Sequence, residues 1–121
     1  MRRTTTLVSA LLLTLLSLTA CSTESGSGSG PGGGTGTEVH ITIKNGTVTP
    51  HGDRVAAKVG QPVTLHIDAD TAGEIHVHSS PEQEIKFDKG TSTKKLTIDQ
   101  PGIVDVEDHA LGQVIVQLEV S

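Results

Sequence analysis

The stretch Glu38-Val39-His40-Ile41-Thr42-Ile43-Lys44 alternates apolar and polar residues without a break. A β-strand points successive side chains to opposite faces, so Val39, Ile41 and Ile43 share one face while His40, Thr42 and Lys44 share the other. This is the pattern of a strand buried on one side. The same period returns at Val55, Ala57 and Val59, at Val63, Leu65 and Ile67, at Ile75 and Val77, at Leu96 and Ile98, and at Val114, Val116, Leu118 and Val120. No stretch repeats its apolar residues at helical spacing. Turn-forming residues separate the runs: Asn45-Gly46, His51-Gly52-Asp53, Gly60-Gln61-Pro62, Asp70 to Gly73, Lys89-Gly90 and Gln100-Pro101-Gly102. About seven short strands at this spacing predict an all-β domain, a Greek-key antiparallel β-sandwich.

Upstream of this domain the composition changes twice. Arg2 and Arg3 precede an apolar run from Leu7 to Leu18, the layout of a secretory signal peptide. The run is too short for a good membrane-spanning helix. Leu18-Thr19-Ala20-Cys21 resembles the bacterial lipobox, in which small residues precede a cysteine that receives a diacylglyceryl group before cleavage. That resemblance implies a mature lipoprotein beginning at acylated Cys21 and held at the extracytoplasmic face of the cell membrane. One acyl chain anchors only marginally, whereas two or more anchor stably, because each buried methylene contributes about 0.8 kcal/mol. From Ser22 to Thr37 the chain is dominated by Gly, Ser and Thr, with Pro31 and no apolar residue to offset the entropy of ordering. It is expected to act as a disordered tether spanning about 20 to 25 Å. Three segments result: a signal over 1–20, the lipidated cysteine and tether over 21–37, and the folded domain over 38–121.

Composition narrows the function. Of the nine Lys and Arg residues, Arg2 and Arg3 lie in the signal, leaving seven against fourteen Asp and Glu. With an acidic balance, no basic run and no aromatic stacking platform, nucleic acid is not an expected partner. Phe87 is the only aromatic residue, so the core must be built from Val, Ile, Leu and Ala. The single cysteine, Cys21, precedes the domain and cannot staple it. A monomer that reaches an envelope protein through its tether is the expected arrangement.

Several landmarks then follow in a telling order: Asn45-Gly46-Thr47-Val48-Thr49-Pro50, Val55 to Val59, Gly60-Gln61-Pro62-Val63-Thr64-Leu65, Gly73-Glu74-Ile75-His76-Val77-His78, Pro101-Gly102, and Gly112-Gln113-Val114-Ile115-Val116. This order resembles cupredoxin-like domains, in particular the EfeO-type branch, where a His-x-His strand follows the strand opened by Gly-x-Pro-Val. The resemblance covers the whole folded part. It implies a cupredoxin-like sandwich, and in that family a thiolate ligand follows the strand after the Pro-Gly turn. Here the corresponding stretch, Val104 to Leu111, offers Glu107, Asp108 and His109 instead.

A blue-copper centre needs two imidazoles and a thiolate, usually with a weak axial Met. The domain has neither Cys nor Met, which excludes blue-copper electron transfer. His76 and His78 are two apart on an expected strand, so both imidazoles leave the same face with Cα atoms about 6.5 to 7 Å apart. In the cupredoxin-like arrangement the His109 loop lies near the end of that strand. His76, His78 and His109, with Glu107 or Asp108 nearby, therefore form the candidate metal site, for one copper or zinc ion. His40 and His66 are expected to face solvent, and His51 to lie in a turn.

Three readings follow. The first is a lipid-anchored, cupredoxin-like module that binds Cu(II) or Zn(II) through histidines. The second is a metal-free interaction or structural domain of the envelope that keeps the sandwich, since function resides in sites and not in folds. The third is an enzyme, suggested by the likeness of Gly73-x-x-His76-x-His78 to copper-zinc superoxide dismutases. That enzyme's further ligands and disulfide are missing here, and Ser79 and Ser80 beside His78 make no triad because strand neighbours point to opposite faces. No catalytic residue is expected.

Overall fold

The computed structural model describes residues 36–121. The expected signal, lipidation site at Cys21 and most of the tether lie outside the described residues. The remainder is nine strands: β1 (Thr37–Lys44), β2 (Thr47–Thr49), β3 (Asp53–Ala57), β4 (Pro62–Ala69), β5 (Gly73–Val77), β6 (Gln83–Phe87), β7 (Gly90–Thr97), β8 (Gly102–Asp108) and β9 (Gln113–Val120). They form a four-stranded sheet in the order β2-β1-β4-β7 and a five-stranded sheet in the order β3-β9-β8-β5-β6.

The inward faces of both sheets supply one hydrophobic core, and alternation explains its membership. Val39, Ile41 and Ile43 of β1, Val63, Leu65 and Ile67 of β4, and Ile75 and Val77 of β5 are all buried. The all-β sandwich is therefore the fold found, with two differences from the sequence reading. Nine strands replace about seven: the three-residue β2, the edge strand β6 and β8 are not among the alternating runs read in the sequence. Nor is every pairing antiparallel, since β1 pairs with β4 and β3 with β9 in parallel. The chain passes repeatedly between sheets, and a strand that returns after such a crossover need not run opposite to its new neighbour.

Two local features shape the region around β5. The β8–β9 ladder shifts register at Val106 and Glu107, so Ile115 and Val116 are consecutive and both fully buried. A bulge inserts one extra residue and breaks the period of two. Hence Val114, expected inward from simple alternation, is only half-buried, and Ile115 takes the core position. Val59, also expected inward, follows the end of β3 and is 39% exposed. Gly73 begins β5 beside the Phe87 ring, where a Cβ would lie 2.6 Å from Cζ. Only glycine lets the lone aromatic residue pack this close to the backbone.

Candidate metal centre

Because Ile75 and Val77 point into the core, Glu74 and His76 stand on the outer face of the five-stranded sheet. Register then selects their neighbours. His76 lies opposite Glu84 on β6 and Glu107 on β8, while Glu74 lies opposite Lys86. His78 follows β5 and continues the ladder by donating its N–H to the Asp105 carbonyl at 2.9 Å. Each row thus sets an imidazole beside one or more carboxylates.

The side-chain geometry is dense around His76, which is 18% exposed. Its Nε2 is 3.0 Å from Glu74 Oε1 and 3.8 Å from Glu84 Oε1. Its Nδ1 is 3.5 Å from Glu82 Oε1, and the same oxygen lies 3.7 Å from His78 Nδ1. His78 Nε2 is 3.2 Å from Glu107 Oε2. The two imidazoles meet edge to face with centroids 6.4 Å apart, consistent with a shared strand face.

His109 joins them through the turn after β8. Asp108 is buried, and its Oδ1 accepts the Leu111 N–H at 2.9 Å while its carbonyl accepts the Gly112 N–H at 2.9 Å. The carboxylate therefore shapes the turn from inside and is not available at the outer face. His109 donates its backbone N–H to the Glu74 carbonyl at 3.0 Å, which ties the turn to β5. Its ring stacks on His76 with centroids 4.2 Å apart and planes inclined by 23°. The structure thus brings the His78 and His109 rings each against His76.

Glu74, His76 and Glu84 bring one ligating atom each to within 4.8 Å of one another. Four carboxylates, Glu74, Glu82, Glu84 and Glu107, surround His76 and His78, and among the described residues Lys86 approaches them, at 3.9 Å from Glu74. Nitrogen and oxygen donors of this kind fit Cu(II) or Zn(II) and do not fit a blue-copper ion, which requires a thiolate. Ser79, by contrast, is occupied by its own turn, donating to the Pro81 carbonyl at 2.7 Å and accepting from Gln83 at 3.1 Å.

Glu74 was missed in the sequence although the signal was present, since it shares the face of His76 at a spacing of two. Nothing in residue spacing links Glu82 or Glu84 to His76, and only the β5–β6 register brings Glu84 beside the imidazole. His40 and His66, expected to face solvent, stack on each other with centroids 4.7 Å apart.

No family model matches the chain, and no curated protein matches it. Solved structures do share its fold. A purple cupredoxin from Nitrosopumilus maritimus is 18% identical with a TM-score of 0.51, covering 70% of this chain and 99% of that one. Dithionite-reduced auracyanin from the photosynthetic bacterium Roseiflexus castenholzii is 12% identical with a TM-score of 0.50, covering 73% and 99%. An amicyanin variant in its reduced Cu(I) form is 14% identical with a TM-score of 0.51, covering 69% and 82%. At these identities the comparison establishes a cupredoxin-like fold; the EfeO-type branch within it stays an expectation from the sequence.

Proposed function

We propose that this chain is a lipid-anchored extracytoplasmic protein whose cupredoxin-like domain binds one Cu(II) or Zn(II) ion on the outer face of its five-stranded sheet. It acts as a binding module and not as a catalyst or a blue-copper electron carrier. His76 is the central ligand, Glu74 and Glu84 are the nearest oxygen donors, and His78 and His109 complete the set. The observation that carries this reading is the convergence of Glu74, His76 and Glu84 within 4.8 Å. Carboxylates gathered with so little compensating positive charge repel one another, and a divalent cation relieves that repulsion. The named neighbours include a Cu(I) protein, which is consistent with copper as cargo.

A metal-free interaction domain is the second reading, and one feature favours it: His76 and His78 already satisfy carboxylates directly, at 3.0 and 3.2 Å. Calorimetric titration of the untagged full chain with Cu(II) and then Zn(II) separates the two. Submicromolar binding with a raised thermal midpoint is expected, since metal in hundredfold excess over Kd stabilises the folded state by about 2.7 kcal/mol. Binding only at millimolar metal would leave the interaction domain as the better account. The proposed address is tested separately: Cys21→Ser is expected to move the protein from the membrane to the soluble fraction, and an unchanged membrane fraction would refute the lipid anchor.

A further inference from the structure

The outer face of the four-stranded sheet carries a second set of metal-type donors. His40 and His66 are direct partners in the parallel β1–β4 register, and Thr93 continues the same row on β7. Adjacent strands lie about 4.8 Å apart, and the imidazole centroids are separated by 4.7 Å with their planes inclined by only 14°. Side chains lean along the strand direction, so two parallel strands tilt their rings the same way and stack them. Glu38, two residues before His40 and thus on the same face, brings Oε2 to 3.9 Å from His66 Nε2. The ligating atoms of Glu38, His40 and His66 lie within 4.8 Å of one another.

The other ring nitrogen of His66 has its own partner. Thr93 Oγ1 is 3.4 Å from His66 Nδ1. When Nδ1–H donates to that hydroxyl, Nε2 turns its lone pair toward Glu38, the orientation that a partner outside the coordination sphere imposes on a ligating histidine. The row opens onto a shallow cavity of about 470 Å³ walled by His40, Thr42, His66, Asp68, Thr91 and Thr93, with room for waters.

We propose that Glu38, His40 and His66 form a second metal site, separate from the His76 centre, that takes a divalent first-row transition metal and holds Cu(II) more tightly than Zn(II). Two imidazoles and a carboxylate, with water in the remaining positions, suit a tetragonal Cu(II) ion, and the Irving–Williams order places Cu(II) above Zn(II). Ligands of one ion must approach more closely than the present 4.8 Å. The Glu38 side chain is 61% exposed and can swing inward, while the stacked His40 and His66 rings must splay apart for both lone pairs to meet one ion. The backbone register supplies the pairing, and side-chain rotation completes the site.

Cu(II) titration of the untagged full chain and of His76→Gln, His66→Gln and Glu38→Gln variants, followed by calorimetry and electron paramagnetic resonance, tests this. His76→Gln is expected to retain one equivalent of copper whose spectrum shows coupling to imidazole nitrogen from two rings. Adding His66→Gln or Glu38→Gln to that background is expected to weaken the retained copper by at least about 100-fold each, because loss of a ligand should exceed the 10- to 100-fold cost of losing a partner outside the coordination sphere. Unchanged thermal midpoints without metal confirm that these outer-face substitutions leave the fold intact. Copper in the His76→Gln chain that is indifferent to both substitutions, or that binds only at millimolar concentration, overturns the second site. If the wild-type chain holds a single equivalent that only His66→Gln removes, the second site stands and the His76 reading fails.

Discussion

Replacing His76 by Gln is expected to remove one equivalent of tightly bound metal while leaving the thermal midpoint of the metal-free chain nearly unchanged. The imidazole is the hub of its cluster, with Nε2 facing Glu74 and Glu84, Nδ1 facing Glu82, and the ring face covered by His109. Loss of a partner outside a metal's coordination sphere costs about 10- to 100-fold in affinity, and loss of a ligand should exceed that. Stability should respond little because the ring belongs to the outer face and not to the core. Residues such as Ile75 and Val77 hold β5 in place from the other side. Metal titration and thermal melting of the two chains check both halves. If the variant unfolds, His76 is a structural residue; if affinity is unaltered, the ion lies elsewhere.

The largest effect on stability is expected from Leu65→Ala. Leu65 is fully buried in the middle of β4, paired with Val39 on β1 and Lys94 on β7. Truncating a buried leucine costs about 2 to 5 kcal/mol, the transfer term plus the cavity left behind. A domain this small is stabilised by only about 4 to 13 kcal/mol in total, and it has no disulfide and a single aromatic ring to fall back on. A fall in thermal midpoint of about 10 to 30 °C is therefore expected. Lys95→Ala, on the exposed face of β7, should change stability by no more than about 0.5 kcal/mol. Equal effects from the two substitutions would mean that the interior relaxes around the gap.

Much of the fold was legible because strand alternation is a local property. Val39, Ile41 and Ile43, with their counterparts on β4 and β5, could be assigned to the inside from the order of residues alone, and the structure buries each of them. Asn45-Gly46 could be read as a tight hairpin turn, and both residues have positive φ, 54° and 71°. The exceptions have local causes of another kind. The β8–β9 bulge exchanges Val114 for Ile115 by shifting the ladder by one residue, and nothing in Gln113-Val114-Ile115-Val116 marks which valine will lose its place.

The sites divide along the same line. That Glu74, His76 and His78 share one face follows from their spacing, and that no blue-copper centre can form follows from the absence of Cys and Met in the domain. Glu84 beside His76, His109 stacked upon it, and His40 against His66 required the strand order and register of two sheets. Strand faces and the kinds of donor atoms follow from the order of residues alone, because side-chain alternation and composition need no knowledge of distant residues. Which donors meet depends on the assembled sheets, because crossovers between them choose each strand's neighbours and a shift of one residue in register would turn every side chain to the opposite face.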